Sequence, residues 1–237
     1  MNAKKNALVF ITKFAAFSIV IALAAVYMGS VAAKTAATGV DASTKTIVID
    51  AGHGGIDGGA VADDGTLEKD LNLALAKSVE RVLKYLGANV LMTRTDDVMY
   101  AEPSSPHKKL DDLTHRIKTA EGAGDVVFVS IHMNIFPVPK YSGLQVYYSK
   151  QNSESKLLAD ALQSAAAQYV QRENTRQTKA AGDEIYLLSK LDCPAVLVEC
   201  GFLSNPDELA KLKTDEYRNK LAAVIAATVM EYINQEK

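Results

Sequence analysis

The chain has 237 residues, of which 48% are hydrophobic and 23% are charged, and its formal net charge is -2. This composition supports a sizeable buried core and excludes a largely disordered chain. It gives no electrostatic reason to expect a nucleic-acid partner, because no run of lysine or arginine occurs outside the extreme N-terminus. Without an apolar N-terminal segment, about 200 residues are left, which is the size of one α/β domain.

The N-terminal segment has the pattern of an export signal or a membrane anchor. Lys4, Lys5 and Lys13 precede an uncharged run over 14–33 that is long enough to cross a bilayer. Val31-Ala32-Ala33 suits cleavage by a signal peptidase, but the length of the run suits an uncleaved anchor equally well. The predicted organisation is a signal peptide or membrane anchor over 1–33, a linker over 34–44, and one folded domain, outside the cytoplasm, over 45–237.

The first predicted strand leads into a glycine-rich loop. Thr46 to Asp50 is a short β-branched run, and the loop Gly52-His53-Gly54-Gly55-Ile56-Asp57-Gly58-Gly59 follows it. Thr66 is the predicted N-cap of a helix from Leu67 to about Leu86, which Gly87 ends. The loop therefore lies between a strand end and a helix start, where we expect a site.

The rest of the chain alternates apolar runs with amphipathic segments. The predicted strands are 89–93, 126–131, 143–148, 185–188 and 195–200. The predicted helices are 110–121, 153–170, a helix that starts at Asn205-Pro206-Asp207-Glu208, and 216–232. This alternation indicates an α/β fold with a mainly parallel sheet and helices on both faces. In such sheets, sites lie beyond the carboxyl ends of the strands.

Three residues near these strand ends form a candidate metal site. Catalytic zinc takes three nitrogen or carboxylate ligands from the protein and leaves a fourth position for water. His53, Glu68 and His132 supply that set for one Zn²⁺ ion. Glu68 falls in the first turn of its predicted helix, so its carboxylate can face back towards the loop that holds His53.

Glu199 is the candidate general base. It follows the apolar run Ala195 to Val198, and a carboxylate at that position is costly to bury unless it has a partner or a task. A strand-end glutamate in an ion pair would explain it too. From the residues alone, a metal site and a structural role explain the four candidates about equally well.

Other readings of the motifs are weaker. A nucleotide site fails because Asp57 occupies the position of the third glycine in a dinucleotide fingerprint. Cys193 and Cys200 are roughly 23 Å apart along an extended strand, so they cannot form a disulfide and read as small buried hydrophobes. A thiol hydrolase that uses Cys200 is disfavoured, because adjacent strand residues such as Glu199 and Cys200 point to opposite faces. His107 and His115 read as surface residues without a role.

Four motifs, in this order, resemble the zinc-dependent N-acetylmuramoyl-L-alanine amidase family. They are IVIDAGHGG over 47–55, LEK over 67–69, SIHMN over 130–134 and LVECGFLSNP over 197–206. Any one motif is a weak signal, but four in family order are specific. The resemblance covers 46–232, which it identifies as a catalytic amidase domain.

The resemblance implies roles for individual residues. His53, Glu68 and His132 match the family's zinc ligands, and Glu199 matches its catalytic glutamate, which acts as base and then as acid. Arg94 and Arg116 match recurrent arginines, for which we expect structural ion pairing. The implied substrate is peptidoglycan, cleaved at the amide between muramic acid and L-alanine, and the implied fold is an open, largely parallel sheet of about six strands.

The compact domain is similar to the sporulation-specific CwlD-type amidases, which implies a role in maturation of the spore cortex and in germination. A general wall-remodelling amidase and a catalytically silent wall-binding homologue are the alternatives. A protein partner that activates the enzyme or stabilises its metal site is compatible with the sequence.

The sequence departs from the family pattern in two places. Ala51 stands where the family usually has proline, and the connection from Val170 to Ile185 is too short for the autoinhibitory helix of division-associated relatives.

Overall fold

The computed structural model describes residues 45–235, in which six strands form one sheet. The strands are β1 (Thr46–Ala51), β2 (Asn89–Met92), β3 (Val126–Asn134), β4 (Gln145–Tyr148), β5 (Lys179–Ala180) and β6 (Ala195–Phe202). The helices are α1 (Glu68–Tyr85), α2 (Lys108–Glu121), α3 (Glu154–Tyr169), α4 (Tyr186–Lys190), α5 (Pro206–Leu212) and α6 (Asp215–Gln235). The segments predicted as signal or anchor and as linker lie outside the described residues. No described helix is long and apolar enough to span a bilayer.

The sheet is open and mostly parallel, as predicted, with the strand order β2-β1-β3-β6-β4-β5. β1 pairs in parallel with β2 and with β3, and β3 pairs in parallel with β6. β4 is antiparallel to β6. The chain leaves β1 towards β2 and then crosses to β3 on the other side, so the topological switch point lies between β1 and β3. Ligands bind at such points in open α/β sheets.

Alternating strand residues build a separate core on each face of the sheet. On the first face, Ile49 and Val129 belong to a core that includes Leu75 of α1, Leu158 of α3 and Ile225 of α6. On the second face, a smaller core contains residues of three strands and of the two helices that cover them. These are Val48, Phe128, Ala195, Leu197, Ile117 of α2 and Leu187 of α4.

Three rows of side chains cross the second face, one after another along the strands. Val48, Phe128 and Ala195 are register partners in the apolar row. Asp50 and Ser130 are partners in the next row, which lies two residues nearer the carboxyl ends of β1 and β3. His132, Glu199 and Gln145 are partners in the outermost of the three rows, which we call the reactive row. The second face thus changes from apolar to polar towards the edge where the candidate site lies.

The predicted strand over 185–188 is wrong, because this segment forms the short helix α4. Leu187, Leu188 and Leu191 are buried, which is a helical spacing that packs one side of α4 on the second core. The two-residue strand β5 was not predicted, and its exposed residues carry no apolar alternation.

The predicted N-cap of α1 is also wrong. The cap position is Leu67, whose side chain makes no capping hydrogen bond. The first helical N–H groups instead donate to the glycine-rich loop: Glu68 N to Ala60 O at 2.9 Å and Lys69 N to Gly58 O at 3.1 Å. This backbone cap fixes the start of α1 against the loop, and with it the position of Glu68.

The predicted cap of α5 is confirmed. The Asn205 side chain accepts hydrogen bonds from Asp207 N and Glu208 N, and Pro206 takes the first helical position. β3 and β6 are longer than predicted, so His132 lies within its strand and not just past the end, and Glu199 lies further from the end of its strand. The backbone of both residues is therefore part of the sheet.

Leu75→Ala should test the first core, since Leu75 is 0% exposed. We expect the free energy of unfolding to fall by about 2 to 5 kcal/mol, because the substitution leaves a cavity. Urea unfolding followed by circular dichroism measures it. The control is Leu157→Ala in α3, where the side chain is 58% exposed and the change should stay within about 0.5 kcal/mol. Equal losses in both variants would contradict this assignment of the core.

Candidate metal and active site

The structure brings together the three residues predicted as metal ligands. One ligand-type atom from each of His53, Glu68 and His132 lies within 4.8 Å of the others. Glu68 is at the centre: its Oε2 is 3.2 Å from His53 Nε2 and its Oε1 is 2.9 Å from His132 Nδ1. The elements that carry them are the loop after β1, the first turn of α1 and the end of β3. Their role as ligands stays a prediction.

Glycine is required at two positions for the three side chains to lie this close to the loop backbone. A Cβ on Gly52 would lie 2.2 Å from His132 Nε2, and a Cβ on Gly59 would lie 2.6 Å from Glu68 Oε2. Gly59 also has φ +67, which L side chains rarely adopt. His53 has φ 61 and is the one non-glycine residue with positive φ in the described part of the chain. The strained backbone at His53 aims its ring at Glu68, and strain of this kind is typical of functional sites.

Glu68 is held by more than the two histidines. Ala60 N donates to its Oε2 at 2.8 Å, and Met133 N donates to its Oε1 at 3.2 Å. Asn72, one helical turn later, donates from Nδ2 to Glu68 Oε1 at 3.1 Å and to Gly52 O at 3.1 Å. Asn72 was not predicted as a site residue, although the i+4 spacing of Asn72 from Glu68 places both on one face of α1.

Charge coupling within the cluster is strong. Burial acts to raise the pKa of Glu68, but hydrogen bonds from His132 and His53 outweigh burial and hold that pKa well below its usual range. Burial acts to lower the pKa of His53, but the adjacent carboxylates of Glu68 and Asp57 raise it overall. His53 Nδ1 is 2.9 Å from Asp57 Oδ2, although the contact is not aligned as a hydrogen bond. Asp57 thus orients the His53 ring from the side away from Glu68.

Glu199 lies beside this cluster in the reactive row, as the register partner of His132. Its Oε2 is enclosed and has no hydrogen-bond partner among residues 45–235. Burial raises the pKa of Glu199 to about 7, and repulsion by Glu68 adds to the rise, while the positive charges of His132, His53 and Arg176 oppose it. An enclosed carboxyl with a pKa near neutrality is suited to taking up and returning a proton.

A buried ion pair lies directly beneath the site. Arg116 Nη1 donates to Asp50 Oδ1 at 2.7 Å, and Arg116 Nε donates to Asp112 Oδ2 at 2.8 Å. Ser130 and Thr93 donate their hydroxyl groups to Asp50 at 2.5 and 2.6 Å. The structural ion pairing expected for Arg116 is therefore found, with both partners buried. Arg116 also donates to Ala51 O and His53 O, each at 2.7 Å, so the pair supports the backbone that leads to His53.

Within residues 45–235, the ion pairing expected for Arg94 is not found. Its buried guanidinium donates instead to four carbonyl groups: Ala51 O at 2.8 Å, Gly52 O at 3.0 Å, Lys69 O at 2.9 Å and Asp96 O at 3.0 Å. Arg94 therefore joins the loop after β1 to the first turn of α1. The guanidinium group suits this task because it offers five N–H donors in a fixed plane.

The remaining side chains predicted to have no role lie away from the reactive atoms. Cys193 and Cys200 are free thiols, and Cys200 is buried in the first core, where burial raises its pKa well above the ordinary value. A buried neutral thiol on that face cannot act as the nucleophile. His107 is exposed. His115 stacks on the Tyr100 ring at 4.0 Å.

Comparison with known proteins decides the family. The family model described as N-acetylmuramoyl-L-alanine amidase, Amidase_3, matches residues 47–231, which span both core faces and every candidate site residue. The chain belongs to this amidase family. A germination-specific N-acetylmuramoyl-L-alanine amidase of Bacillus subtilis (strain 168) is 35% identical over 197 residues, 82% of this chain and 82% of that protein.

Solved structures of amidases share the fold. The CwlD amidase from Clostridioides difficile, solved in complex with the GerS lipoprotein, has 37% identity and a TM-score of 0.77 over 81% of this chain and 99% of that one. The amidase AmiC2 of Nostoc punctiforme has 32% identity and a TM-score of 0.71 over 81% and 99%. These matches confirm the predicted amidase family, enzyme class and fold. In the amidase, the segment between α3 and α4 contains the short strand β5.

Asp50→Asn should destabilise the amidase at pH 7 by about 3 to 5 kcal/mol, because the buried Arg116 would lose one of its two counter-charges and keep only Asp112. Burial acts to raise the pKa of Asp50, but Arg116, Ser130 and Thr93 lower it overall. The stabilisation by Asp50 is therefore present above the unfolded pKa, about 4, and is lost as pH falls towards the lower folded value.

Urea unfolding at a series of pH values measures this effect. Wild-type stability should fall more steeply below about pH 4 than that of Asp50→Asn. Asp183→Asn, at an exposed position, is the matched control and should change little. Equal stability of the wild type and Asp50→Asn at pH 7 would contradict the role given to the ion pair.

Proposed function

We propose that the chain is a zinc-dependent amidase that cleaves the bond between muramic acid and the L-alanine of the peptidoglycan stem peptide. One observation carries the zinc assignment: His53, Glu68 and His132 converge with ligand-type atoms within 4.8 Å. Two neutral nitrogens and one carboxylate are a ligand set typical of catalytic zinc. The glycines at 52 and 59 leave the room that these side chains need. A bound zinc ion would supply Lewis acidity, which polarises a carbonyl group and acidifies water.

The chain's own residues account for orientation and proton transfer. Asp57 lies against the outer nitrogen of His53, and Asn72 with two backbone N–H groups fixes the Glu68 carboxylate. Glu199 in its ionised form would take a proton from the attacking water. The protonated carboxyl would then donate that proton to the alanine nitrogen as the amide bond breaks. A pKa of about 7 makes both protonation states accessible near neutral pH.

Glu199→Gln tests this role, since it keeps the shape and removes the base. We expect kcat to fall by roughly 100- to 10,000-fold while zinc content is unchanged. The full-length chain, purified in mild detergent with added zinc, is incubated with sacculi, and released stem peptides are measured by mass spectrometry. Zinc is quantified in the same samples. Glu173→Gln, at an exposed position, is the matched control.

The outcomes separate the parts of the proposal. Full activity of Glu199→Gln would remove Glu199 from the mechanism. A wild-type protein that binds stoichiometric zinc and releases no peptide would contradict the stand-alone enzyme and favour a silent homologue. Activity without any bound metal would contradict zinc dependence.

Asn72→Leu tests the positioning of Glu68, because it keeps the branching at Cγ and removes both donated hydrogen bonds. We expect zinc affinity to fall by roughly 10- to 100-fold, the usual effect of losing a residue that orients a metal ligand. Competition with a fluorescent zinc chelator measures the affinity, and activity should return at saturating zinc. Asn234→Ala on the exposed side of α6 is the control. Unchanged zinc affinity in Asn72→Leu would exclude this role.

A role in the spore cortex is the biological setting that we propose. It is supported by the likeness to a germination-specific amidase and to the CwlD amidase. The same sacculus experiment addresses it when cortex and vegetative peptidoglycan are compared. Faster release from cortex supports the proposal, whereas equal rates favour general wall remodelling.

Export and a protein partner complete the proposal. A peptidoglycan substrate requires the domain to act outside the cytoplasmic membrane, secreted or held there by the segment over 1–33. The CwlD structure was solved in complex with the GerS lipoprotein. By analogy, we propose that a protein partner of this chain activates it or stabilises its metal site.

A further inference from the structure

The reactive row extends beyond Glu199 to a third strand. Gln145, the first residue of β4, is the register partner of Glu199 on β6. Because directly paired residues point to the same face, the Gln145 side chain lies on the same side of the sheet as His132 and Glu199. Gln145 is buried and donates from Nε2 to Gln177 O at 2.7 Å. The row therefore continues towards the segment between α3 and β5.

Arg176 in that segment is fixed beside the row by two contacts. Its Nη2 donates to Gln145 Oε1 at 2.6 Å, and its guanidinium lies 4.9 Å from the centre of the Phe202 ring. A guanidinium that is stacked on one face and hydrogen-bonded at one edge loses little further freedom on binding a ligand. Arg176 is thus a pre-oriented cation at the border of the site.

Most of the hydrogen-bonding capacity of Arg176 is unused. Arginine has five N–H donors, yet one side-chain hydrogen bond is formed, and the Nε atom is enclosed with no partner. Among residues 45–235, no carboxylate forms an ion pair with Arg176. This differs from Arg116, whose donors are taken up by two carboxylates and two carbonyl groups. A partly buried guanidinium with free donors is suited to an anionic ligand.

We propose that Arg176 binds a carboxylate of the stem peptide and makes the enzyme prefer substrates that carry it. This inference rests on the amidase function proposed above and adds a determinant of specificity to it. Cleavage at L-alanine leaves a peptide whose next residue is acidic, so a carboxylate lies a few bonds from the amide that breaks. Arg176 is bonded to Gln145, which pairs with Glu199 on the side opposite to His132, so a peptide that extends from the metal site past Glu199 would reach Arg176.

Two matched muropeptides test the proposal. They differ only in whether the second stem residue carries a free α-carboxylate or the uncharged amide. For Arg176→Gln we expect kcat/KM on the free acid to fall roughly 10- to 100-fold, as for the loss of a charge-assisted hydrogen bond, mainly through KM. Activity on the amide should fall much less, because there the loss of the Arg176 charge acts only through the pKa of Glu199. Arg176→Lys should recover part of the affinity for the acid, since it keeps the charge without the planar fork.

Binding is measured separately from turnover. In the Glu199→Gln background, calorimetry of both muropeptides with and without Arg176→Gln gives affinities that do not depend on catalysis. Arg172→Gln, at an exposed position nearby, is the matched control, and zinc content and melting temperature report on folding. A loss confined to the free acid supports the proposal. Equal losses on acid and amide, or no loss on either, would overturn it while leaving the amidase function intact, whereas a wild type inactive on both substrates would count against the function itself.

Discussion

The buried pair of Asp50 and Arg116 is the interaction on which the rest of the site depends. Asp50 is the charged residue of an otherwise apolar strand, and Arg116 reaches it from α2 with further bonds to Ala51 O and His53 O. Removing Arg116 would leave Asp50 enclosed without a counter-charge, and removing Asp50 would leave Arg116 with Asp112 alone, each at a cost of several kcal/mol. The loop that carries His53 therefore has a rigid base, which explains how a backbone with positive φ is maintained there.

This ion pair also separates two environments on one face of the sheet. Below it, Val48 and Phe128 pack in a dry core, and above it, His132 and Glu199 form part of the reactive row. Along each strand, the surroundings of the side chains change from apolar to polar in steps of two residues, because alternate side chains share a face. Glu199 is consequently supported by a packed strand, and its carboxylate is enclosed at the reactive edge of the sheet, where burial raises its pKa.

Much of the site could be predicted from the sequence, because its parts lie at recognisable boundaries. The strand ends, the glycine-rich loop and the first turn of α1 identify His53, Glu68 and His132, and the structure brings the three together. Asp50 and Asn72 carry signals that could have been used: a charge within an apolar strand, and an i+4 spacing from Glu68. Arg176 gives no such signal, since its place depends on the pairing of β4 with β6. The helix α4 was missed because a short apolar run does not distinguish strand from helix.

The antiparallel direction of β4 has a consequence for how this fold can vary. β3 ends at Asn134 and β4 begins at Gln145, and both of these points lie at the reactive edge of the sheet. The loop between them starts and finishes at this edge and exposes Ile135, Phe136 and Tyr141. Its length can change at a small entropic cost, about 0.6 kcal/mol for each doubling, without moving a strand. The loop that borders the candidate site can therefore be rebuilt among related chains while His53, Glu68 and His132 keep their positions.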